Sequence, residues 1–278
     1  MAQDPTKSFL DSLPEIIAGE EFWFSCHPGV PCFNACCSDL TMPLMPFDVL
    51  RLCTGLSMSS NEFIEDYAVP GCYEDTGFPL LHLRMDPPPG KSCPFLTGEG
   101  CGVYEYRSAA CRTYPLGRAV TPAGPQLSKE EAAGKSSDGI PLKERYFLVR
   151  EGHCKGFEEK GRWNTDSWLA DQGIEDYNVM NDRYMRLIAR YKAVAEGALL
   201  SEKHATMALL CLYQQDSFLD FIHKVGLFSR VNFQGQWGAM TREECIAMLE
   251  ADAEKRLSFA FDWMELVLFG SSAGLSPA

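Results

Sequence analysis

Four cysteines within a twelve-residue stretch are the residues of this sequence best suited to chemistry. The stretch spans residues 26–37 and supplies Cys26, Cys32, Cys36 and Cys37. Proline, glycine and asparagine separate these cysteines, and such residues break regular elements and favour tight turns. We therefore predict a folded loop here. Because thiolates are strong metal ligands, a loop that can direct several of them toward one point indicates a metal site.

A second group of cysteines lies downstream of the first. Cys93, Cys101 and Cys111 fall within one turn-rich segment, and Cys154 follows a predicted strand. The two groups together give eight predicted metal ligands, namely Cys26, Cys32, Cys36, Cys37, Cys93, Cys101, Cys111 and Cys154. We predict that these eight thiols form the functional site of the protein.

The remaining cysteines and two histidines are interpreted differently. Four cysteines lie outside the pattern: Cys53, Cys72, Cys211 and Cys245. Cys53 and Cys211 fall in apolar helical stretches, where a thiol usually fills core space. His27 and His153 each adjoin a predicted ligand and could replace a cysteine, although a supporting role beside the ligands is favoured.

The spacing of the cysteines bears on the identity of the metal. No C-x2-C pair occurs among them. Most small zinc modules use such pairs, whereas iron–sulfur clusters accept more varied spacings, so we favour a 4Fe–4S cluster and keep Zn²⁺ as the alternative. In extended backbone, Cys36 and Cys37 would point to opposite sides. That geometry favours two centres, or one centre and the core, over one shared ion.

Arginine and tyrosine side chains accompany the second cysteine group. Arg107, Arg112 and Arg118 lie within twelve residues, and guanidinium groups would offset the negative charge of a tetrathiolate centre. For Arg107 and Arg118, pairing with surface carboxylates is an equally good interpretation. We predict that Arg112 and Tyr114 contact the bound cofactor. They should also border a cleft, between the metal-binding part and the C-terminal helices, that could hold a partner or substrate.

The overall composition restricts the class of protein. The chain has 278 residues, of which 46% are hydrophobic, and a net charge of −13, which suits a folded protein but not one that binds nucleic acid. The first twenty residues lack the pattern of a signal peptide, and no stretch has the length of a transmembrane span. We therefore expect a cytoplasmic location and no membrane partner. Because thiols stay reduced there, metal binding explains twelve cysteines better than disulfides do.

The hydrophobic pattern changes near residue 160. From Asn164 onward, apolar residues recur at helical intervals, whereas the earlier part mixes short helices with strands. We predict an α+β fold that is mostly helical, with a cysteine-cluster metal-binding domain over residues 1–160 and a helical region over 161–278. The first of these is expected to be small and irregular, with few short strands, and to pack on the C-terminal helices.

Local signals place several elements. A serine or threonine followed three residues later by glutamate predicts helix starts at Ser59 and Thr241. A helix is also expected over residues 8–24 and a strand over 78–85. The segment 119–141 is rich in proline, glycine, serine and lysine, so we predict a mobile surface loop there.

Three short motifs carry a resemblance to a known family. They read Cys-Pro-Phe-Leu at 93–96, Cys-Gly-Val-Tyr-Glu-Tyr-Arg at 101–107 and Cys-Arg-Thr-Tyr-Pro at 111–115, with a C…C…CC pattern upstream at 26–37. Together they resemble the signature of the YkgJ-type cysteine-cluster family, over roughly residues 20–190. The first spacing is wider than is usual in that family, and a serine follows Arg107 where a proline is usual. Neither departure removes a thiol.

The resemblance implies a zinc- or iron-chelating domain and leaves the activity open. One function is a metal protein whose centre is structural or electron-transferring. A second is an enzyme of the methyltransferase type acting on protein side chains, since the flagellin lysine N-methylase carries a similar cysteine motif. A third is a metal-trafficking or interaction module. The expected partners are a metal ion or cluster and a protein partner or substrate.

Overall fold

Short antiparallel sheets and longer helices alternate along the chain. The computed structural model describes residues 13–123, 132 and 136–278. The α+β class is confirmed, because helices dominate and several small sheets accompany them. Among these residues no helix is both long and apolar enough to cross a membrane.

The strands form five small sheets among the described residues, and every pairing is antiparallel. Their spatial orders are β1-β9-β8, β3-β5-β4, β10-β2, β6-β7 and β11-β12. The strands are β1 (Glu15–Ile16), β2 (Glu21–Trp23), β3 (Pro43–Leu44), β4 (Ala68–Cys72), β5 (Pro79–Leu83), β6 (Leu96–Thr97), β7 (Gly100–Cys101), β8 (Leu116–Pro122), β9 (Leu142–Leu148), β10 (Arg162–Asn164), β11 (Val231–Phe233) and β12 (Leu275–Pro277).

The helices lie mainly in the second half of the chain. Those of the described residues are α1 (Pro46–Leu56), α2 (Ser60–Tyr67), α3 (Ala109–Thr113), α4 (Thr165–Gln172), α5 (Glu175–Val194), α6 (Glu202–Tyr213), α7 (Gln215–Val225), α8 (Arg242–Ala251) and α9 (Ala253–Phe269). Helix α5 packs against α1 and α9, and α6 packs against α9. This arrangement gives α5 contacts with both halves of the chain.

Side-chain caps fix where several helices begin. The Ser59 side chain accepts from the backbone N–H of Glu62, and the Glu62 carboxylate accepts from the backbone N–H of Ser59 at 2.9 Å. Thr241 and Glu244 form the same pair before α8. Each pair satisfies donors that the first helical turn leaves free. Both predicted helix starts are therefore confirmed.

Two apolar clusters hold the molecule together. The large one combines side chains from both sides of residue 160, including Phe63, Leu81, Tyr184 and Phe259. The boundary at residue 160 stays a prediction. The small one joins Phe22, Phe24, Leu116, Leu148, Trp168 and Ile16. Fully burying one such side chain contributes about 1.5–3 kcal/mol, so both clusters add substantially to stability.

Two local predictions were wrong. Residues 13–24 form β1 and β2 rather than a helix, because Phe22 and the backbone of this segment pair with β9 and β10. Residues 8–12 lie outside the described part. In the predicted loop over 119–141, residues 119–122 instead belong to β8 and residues 137–139 form a 3-10 turn. Residues 124–131 and 133–135 of that loop lie outside the described part. The strand predicted over 78–85 is confirmed as β5.

Candidate metal centre

The first cysteine stretch is a chain of tight turns, as predicted. The amide N–H groups of Val30, Phe33, Ala35 and Cys37 each donate to the carbonyl three residues earlier. Asn34 adopts a left-handed conformation with φ of 68°, which asparagine tolerates better than most residues. Successive turns of this kind keep the four thiols of the stretch close together.

Backbone hydrogen bonds tie this loop to the other cysteine-bearing segments. Cys93 N–H donates to the carbonyl oxygen of Cys37 at 2.7 Å. On the other side, the backbone N–H of Lys155 donates to Cys32 Sγ at 3.0 Å. Lys155 directly follows Cys154, so this bond brings the last predicted ligand beside the first group. The loop thus joins segments that lie far apart in sequence.

A hairpin and a short helix present the second group. Strands β6 and β7 place Cys101 opposite Leu96, three residues after Cys93. Cys111 lies on helix α3, and the backbone N–H of Ala109 at the start of that helix donates to Asp48 Oδ1 at 2.8 Å. This bond fastens α3 to helix α1. The position of Cys111 therefore depends on a carboxylate more than 60 residues away in sequence.

The thiols divide into two neighbouring sets, and Cys36 lies between them. Cys26 interacts electrostatically with Cys32, Cys36 and Cys154. We call Cys26, Cys32 and Cys154 the outer set. Cys36 interacts in addition with members of the other set, so it connects the two. All eight predicted ligands are thereby brought into one region of the molecule.

The other thiols surround Cys36 from the opposite side. Cys111 interacts with Cys93, Cys101 and Cys36, and Cys37 interacts with Cys36, Cys93 and Cys111. We call Cys37, Cys93, Cys101 and Cys111 the inner set. The two cysteine groups of the sequence therefore lie in one region of the fold. Whether these thiols ligate a metal remains a prediction.

Burial and mutual repulsion affect how readily these thiols ionise. Cys26 and Cys111 both reach the surface, but the surrounding protein removes part of their hydration. This partial burial, together with the neighbouring sulfurs, raises the pKa of each thiol to about 11. A hydrogen bond from Cys37 lowers the pKa of Cys36 to about 7. Several thiolates in one place repel one another, and a cation would remove that cost. The donor set therefore fits a soft or borderline metal.

All twelve cysteines are free thiols. Within the described part of the chain, however, no three His, Cys, Asp or Glu side chains are gathered tightly enough to hold one metal ion. The thiols of the two sets are neighbours without converging on one point.

The extended backbone conformation predicted for Cys36 and Cys37 was wrong. These residues belong to a 3-10 turn, Ala35–Cys37, rather than to extended backbone. With three residues per turn, adjacent side chains are separated by about a third of a turn instead of half. The two sulfurs consequently share a hydrogen bond.

The other cysteines lie apart from the eight. Cys211 is fully buried in the large core cluster beside Met264. Cys245 is also buried there, and Cys53 packs against the same cluster. Their interactions involve no predicted ligand, which agrees with their interpretation as core thiols. Cys72 is exposed on strand β4.

The two histidines face carboxylates rather than the sulfurs. His27 Nε2 lies 3.8 Å from Glu159 Oε2, and its Nδ1 accepts from the backbone N–H of Gly29 at 3.1 Å. His153 Nε2 lies 3.5 Å from Glu151 Oε2. These contacts agree with supporting roles for both residues.

The three arginines differ in their partners. Arg107 lies over the Tyr104 ring and donates to the Gln172 side chain at 2.7 Å. Arg112 is buried and donates to the Gln172 carbonyl oxygen at 2.7 Å. Both therefore join the second cysteine group to the end of α4. Arg107 also interacts electrostatically with Cys101, which supports its charge-offsetting role. Arg118 pairs with Asp182 instead.

Tyr114 lies directly beside the outer set. Its hydroxyl is buried without a hydrogen bond of ordinary geometry. Burial, and then the nearby Cys154 thiol and Glu151 carboxylate, raise the pKa of Tyr114 well above its usual value. A neutral phenol next to a thiolate can donate a hydrogen bond to sulfur. Contact between this residue and a bound cofactor stays a prediction, as it does for Arg112.

Comparison with known families agrees with the geometry. Residues 25–155 match the CxxCxxCC family, described as "Putative zinc- or iron-chelating domain". The match includes all the cysteine motifs, so the resemblance seen in the sequence is confirmed. Comparisons with curated proteins and with solved structures gave no significant match.

Some residues that shape the site carry no clear signal in the sequence. Asp48 follows Pro46 at a helix start, which predicts a cap, but nothing local predicts its bond to Ala109. The contact of Glu151 with Tyr114 also depends on long-range folding. Lys155 contributes a backbone N–H, which no residue type can reveal.

Proposed function

We propose that this protein is a metal-binding protein in which thiols of the eight-cysteine region hold an iron–sulfur cluster, with zinc as the alternative. The observation that carries the proposal is the connected set of eight thiols from four separate segments, joined through Cys36. A cysteine-cluster domain assigned to zinc or iron chelation covers the same residues. When bound, the metal would supply either a structural anchor or a site for electron transfer.

The division into two sets supports a centre larger than one ion. The inner set offers four thiols, Cys37, Cys93, Cys101 and Cys111, and four is the number that a cubane cluster or a structural zinc takes. The outer set offers three, and Cys36 can complete either set. Cluster ligands stand farther apart than the ligands of one ion. The loose grouping of the described thiols therefore favours a cluster.

Solvent exposure of the cysteine region and a hydrogen bond to one of its sulfurs support a role for the centre in electron transfer. The side chains of Cys26 and Cys111 are exposed at the surface, and the ring of Tyr104 is 54% exposed. Reduction potentials of clusters depend on solvent exposure and on donors to sulfur. The Lys155 N–H to Cys32 Sγ bond is one such donor. We also propose a cytoplasmic location, where thiols remain reduced.

Metal and sulfide analysis tests the proposal. Protein purified without oxygen should contain iron and acid-labile sulfide in comparable amounts, with an absorption band in the visible range that reductant bleaches. Zinc without sulfide would instead support the structural alternative. Well-folded protein that contains neither metal, even after anaerobic reconstitution with iron and sulfide or with zinc, would refute metal binding.

A further inference from the structure

A cavity of about 450 Å³ lies beside the cysteine region. One wall comes from helix α3 and the start of β8, including Ala109, Thr113 and Leu116. The opposite wall comes from helix α5, including Asn181 and Met185. The cavity therefore lies between the cysteine-bearing segments and the C-terminal helices. Its size falls within the range of small-molecule sites.

Most of the cavity surface is apolar. Pro43, Met45, Leu116, Val120 and Val149 contribute aliphatic or thioether groups to it. Such a lining would hold the hydrocarbon body of a ligand, and it gives no preference for polar groups by itself. The few polar side chains in the lining must therefore determine which head group is accepted.

One buried hydrogen-bond acceptor of this lining lacks a donor. Asn181 is only 9% exposed, and its Oδ1 has no hydrogen-bond partner. The Tyr73 hydroxyl donates only to thioethers, at 3.5 Å to Met45 Sδ and 3.9 Å to Met185 Sδ. A buried acceptor without a donor carries a desolvation cost of about 1–3 kcal/mol. A ligand that donates N–H groups would remove that cost.

The lining carries one guanidinium and one carboxylate, and only the guanidinium has a partner of opposite charge. Arg118 is the cation of the lining, and its guanidinium already donates to both carboxylate oxygens of Asp182 and to Glu144. Asp48 is 1% exposed and accepts only from the backbone N–H groups of Ala109 and Met45. Burial raises the pKa of Asp48 to about 6. At pH 7.5 its charge is therefore present, with no cationic side chain among its contacts.

We propose that this cavity binds a small organic ammonium ion with an apolar body. The Asp48 carboxylate would supply the compensating negative charge, and Asn181 Oδ1 would accept a hydrogen bond from the ammonium group. The methionines and Val120 would cover the hydrocarbon part. None of the side chains named here for the ammonium ion is one of the eight thiols, so either proposal can fail without the other.

The test uses three aromatic probes of nearly equal size against the full-length, metal-containing protein at pH 7.5. They are 2-phenylethylammonium, its neutral counterpart 2-phenylethanol, and the anion phenylacetate. Binding is measured by calorimetric titration and by saturation-transfer NMR. We expect saturable binding of the ammonium ion, binding of the alcohol that is weaker by about tenfold or more, which corresponds to about 1.4 kcal/mol, and no binding of the anion. Equal binding of all three, or none of the cation at 10 mM, would overturn the proposal.

Two variants locate the binding. Val120→Trp fills the cavity and should abolish binding of the ammonium ion. Val179→Trp makes the same change on helix α5 at a position that is 55% exposed and outside the lining, so binding should be unchanged. Unaltered binding in Val120→Trp would show that the probe binds elsewhere and would contradict the proposal.

A third variant keeps the test decisive if Val120→Trp does not fold. Asn181→Leu removes the unpartnered acceptor without adding a group to the cavity centre. It should weaken binding of the ammonium ion by about tenfold and leave binding of 2-phenylethanol within about twofold. A folded Asn181→Leu protein that binds the ammonium ion like the wild type would refute the proposed head-group contact. Metal content serves as the check that the cysteine region is intact.

Discussion

The backbone N–H of Cys93 donates a 2.7 Å hydrogen bond to the carbonyl oxygen of Cys37. This bond joins two cysteine groups that are more than 50 residues apart in sequence. The neighbouring Ser38–Ser92 bridge extends the same antiparallel contact. The inner set of thiols therefore rests on backbone pairing between two loops.

Cys36 should matter more for metal retention than any thiol of the outer set. It interacts with Cys26 on one side and with Cys93 and Cys111 on the other. We expect Cys36→Ala to lose most of the bound metal, whereas Cys154→Ala should lose only part of it. Atomic absorption on anaerobically purified variants measures this. Cys211→Ala provides the matched control, because that thiol lies in the core, and a comparable loss there would contradict the assignment.

Removing the metal should loosen the cysteine region before the helical core. The Cys93 N–H to Cys37 bond and the Lys155 N–H to Cys32 Sγ bond hold segments with little core of their own. Metal binding and folding are coupled in such regions. After chelation, amide exchange at Cys93 and Lys155 should accelerate at least tenfold relative to Tyr184 in α5. Equal acceleration at all three positions would argue against a local effect.

Asp48 should make stability depend on pH between about 4 and 7. Burial raises its folded-state pKa to about 6 from 3.8, so the folded protein holds a proton that the unfolded chain releases. The stabilisation is complete below the unfolded value and is lost as pH rises through about 6. When the pH rises from 5 to 7, the free energy of unfolding of the wild type should therefore fall by about 1 kcal/mol relative to that of Asp48→Asn.

Chemical denaturation of both proteins at each pH measures this difference. The two proteins are compared at equal metal content, because the bond from Ala109 to Asp48 also positions Cys111. Asp48→Asn should also be less stable than the wild type by about 1–3 kcal/mol. The two carboxylate oxygens of Asp48 accept from two backbone N–H groups, whereas an asparagine amide has only one oxygen, so one N–H would lose its acceptor. A stability difference that does not vary with pH would show that Asp48 has an ordinary folded-state pKa.

Part of the fold and part of the candidate site could be predicted from the sequence. The starts of α2 and α8 were predictable because Ser59 with Glu62, and Thr241 with Glu244, carry the cap within four residues. The cysteine groups were predictable as partners because residue type and local turns indicate the chemistry. The segment 13–24 was not, since pairing with β9 and β10 overrides local helical preference. The cavity was only partly predicted, because Tyr114 lines it and Arg112 does not.

The buried ion pair between Arg190 and Glu265 should be critical for the helical half. Their side chains are 1% and 3% exposed, with 2.9 Å between Arg190 Nη1 and Glu265 Oε2. Arg190→Met leaves the buried Glu265 carboxylate without its cation, and we expect the free energy of unfolding to fall by about 3–5 kcal/mol. Thermal and denaturant unfolding measure it.

Lys192→Met is the matched control for this prediction. Lys192 lies on the same helix and pairs with Asp75, but both side chains are more than half exposed. Solvent screens such pairs, so the loss should stay below about 1 kcal/mol. Similar losses in both variants would show that burial does not set the strength of the Arg190 pair.

X-ray absorption at the metal edge tests the central proposal most directly, because it counts the atoms bound to the metal. In anaerobically purified protein, we predict a first shell of sulfur at about 2.3 Å for either metal, the zinc–thiolate distance, with an additional iron–iron distance if the centre is a cluster. Cys36→Ala should reduce the bound metal, and Cys53→Ala should leave the spectrum unchanged. A shell dominated by oxygen or nitrogen would contradict the account, because the eight thiols would then not be the ligands.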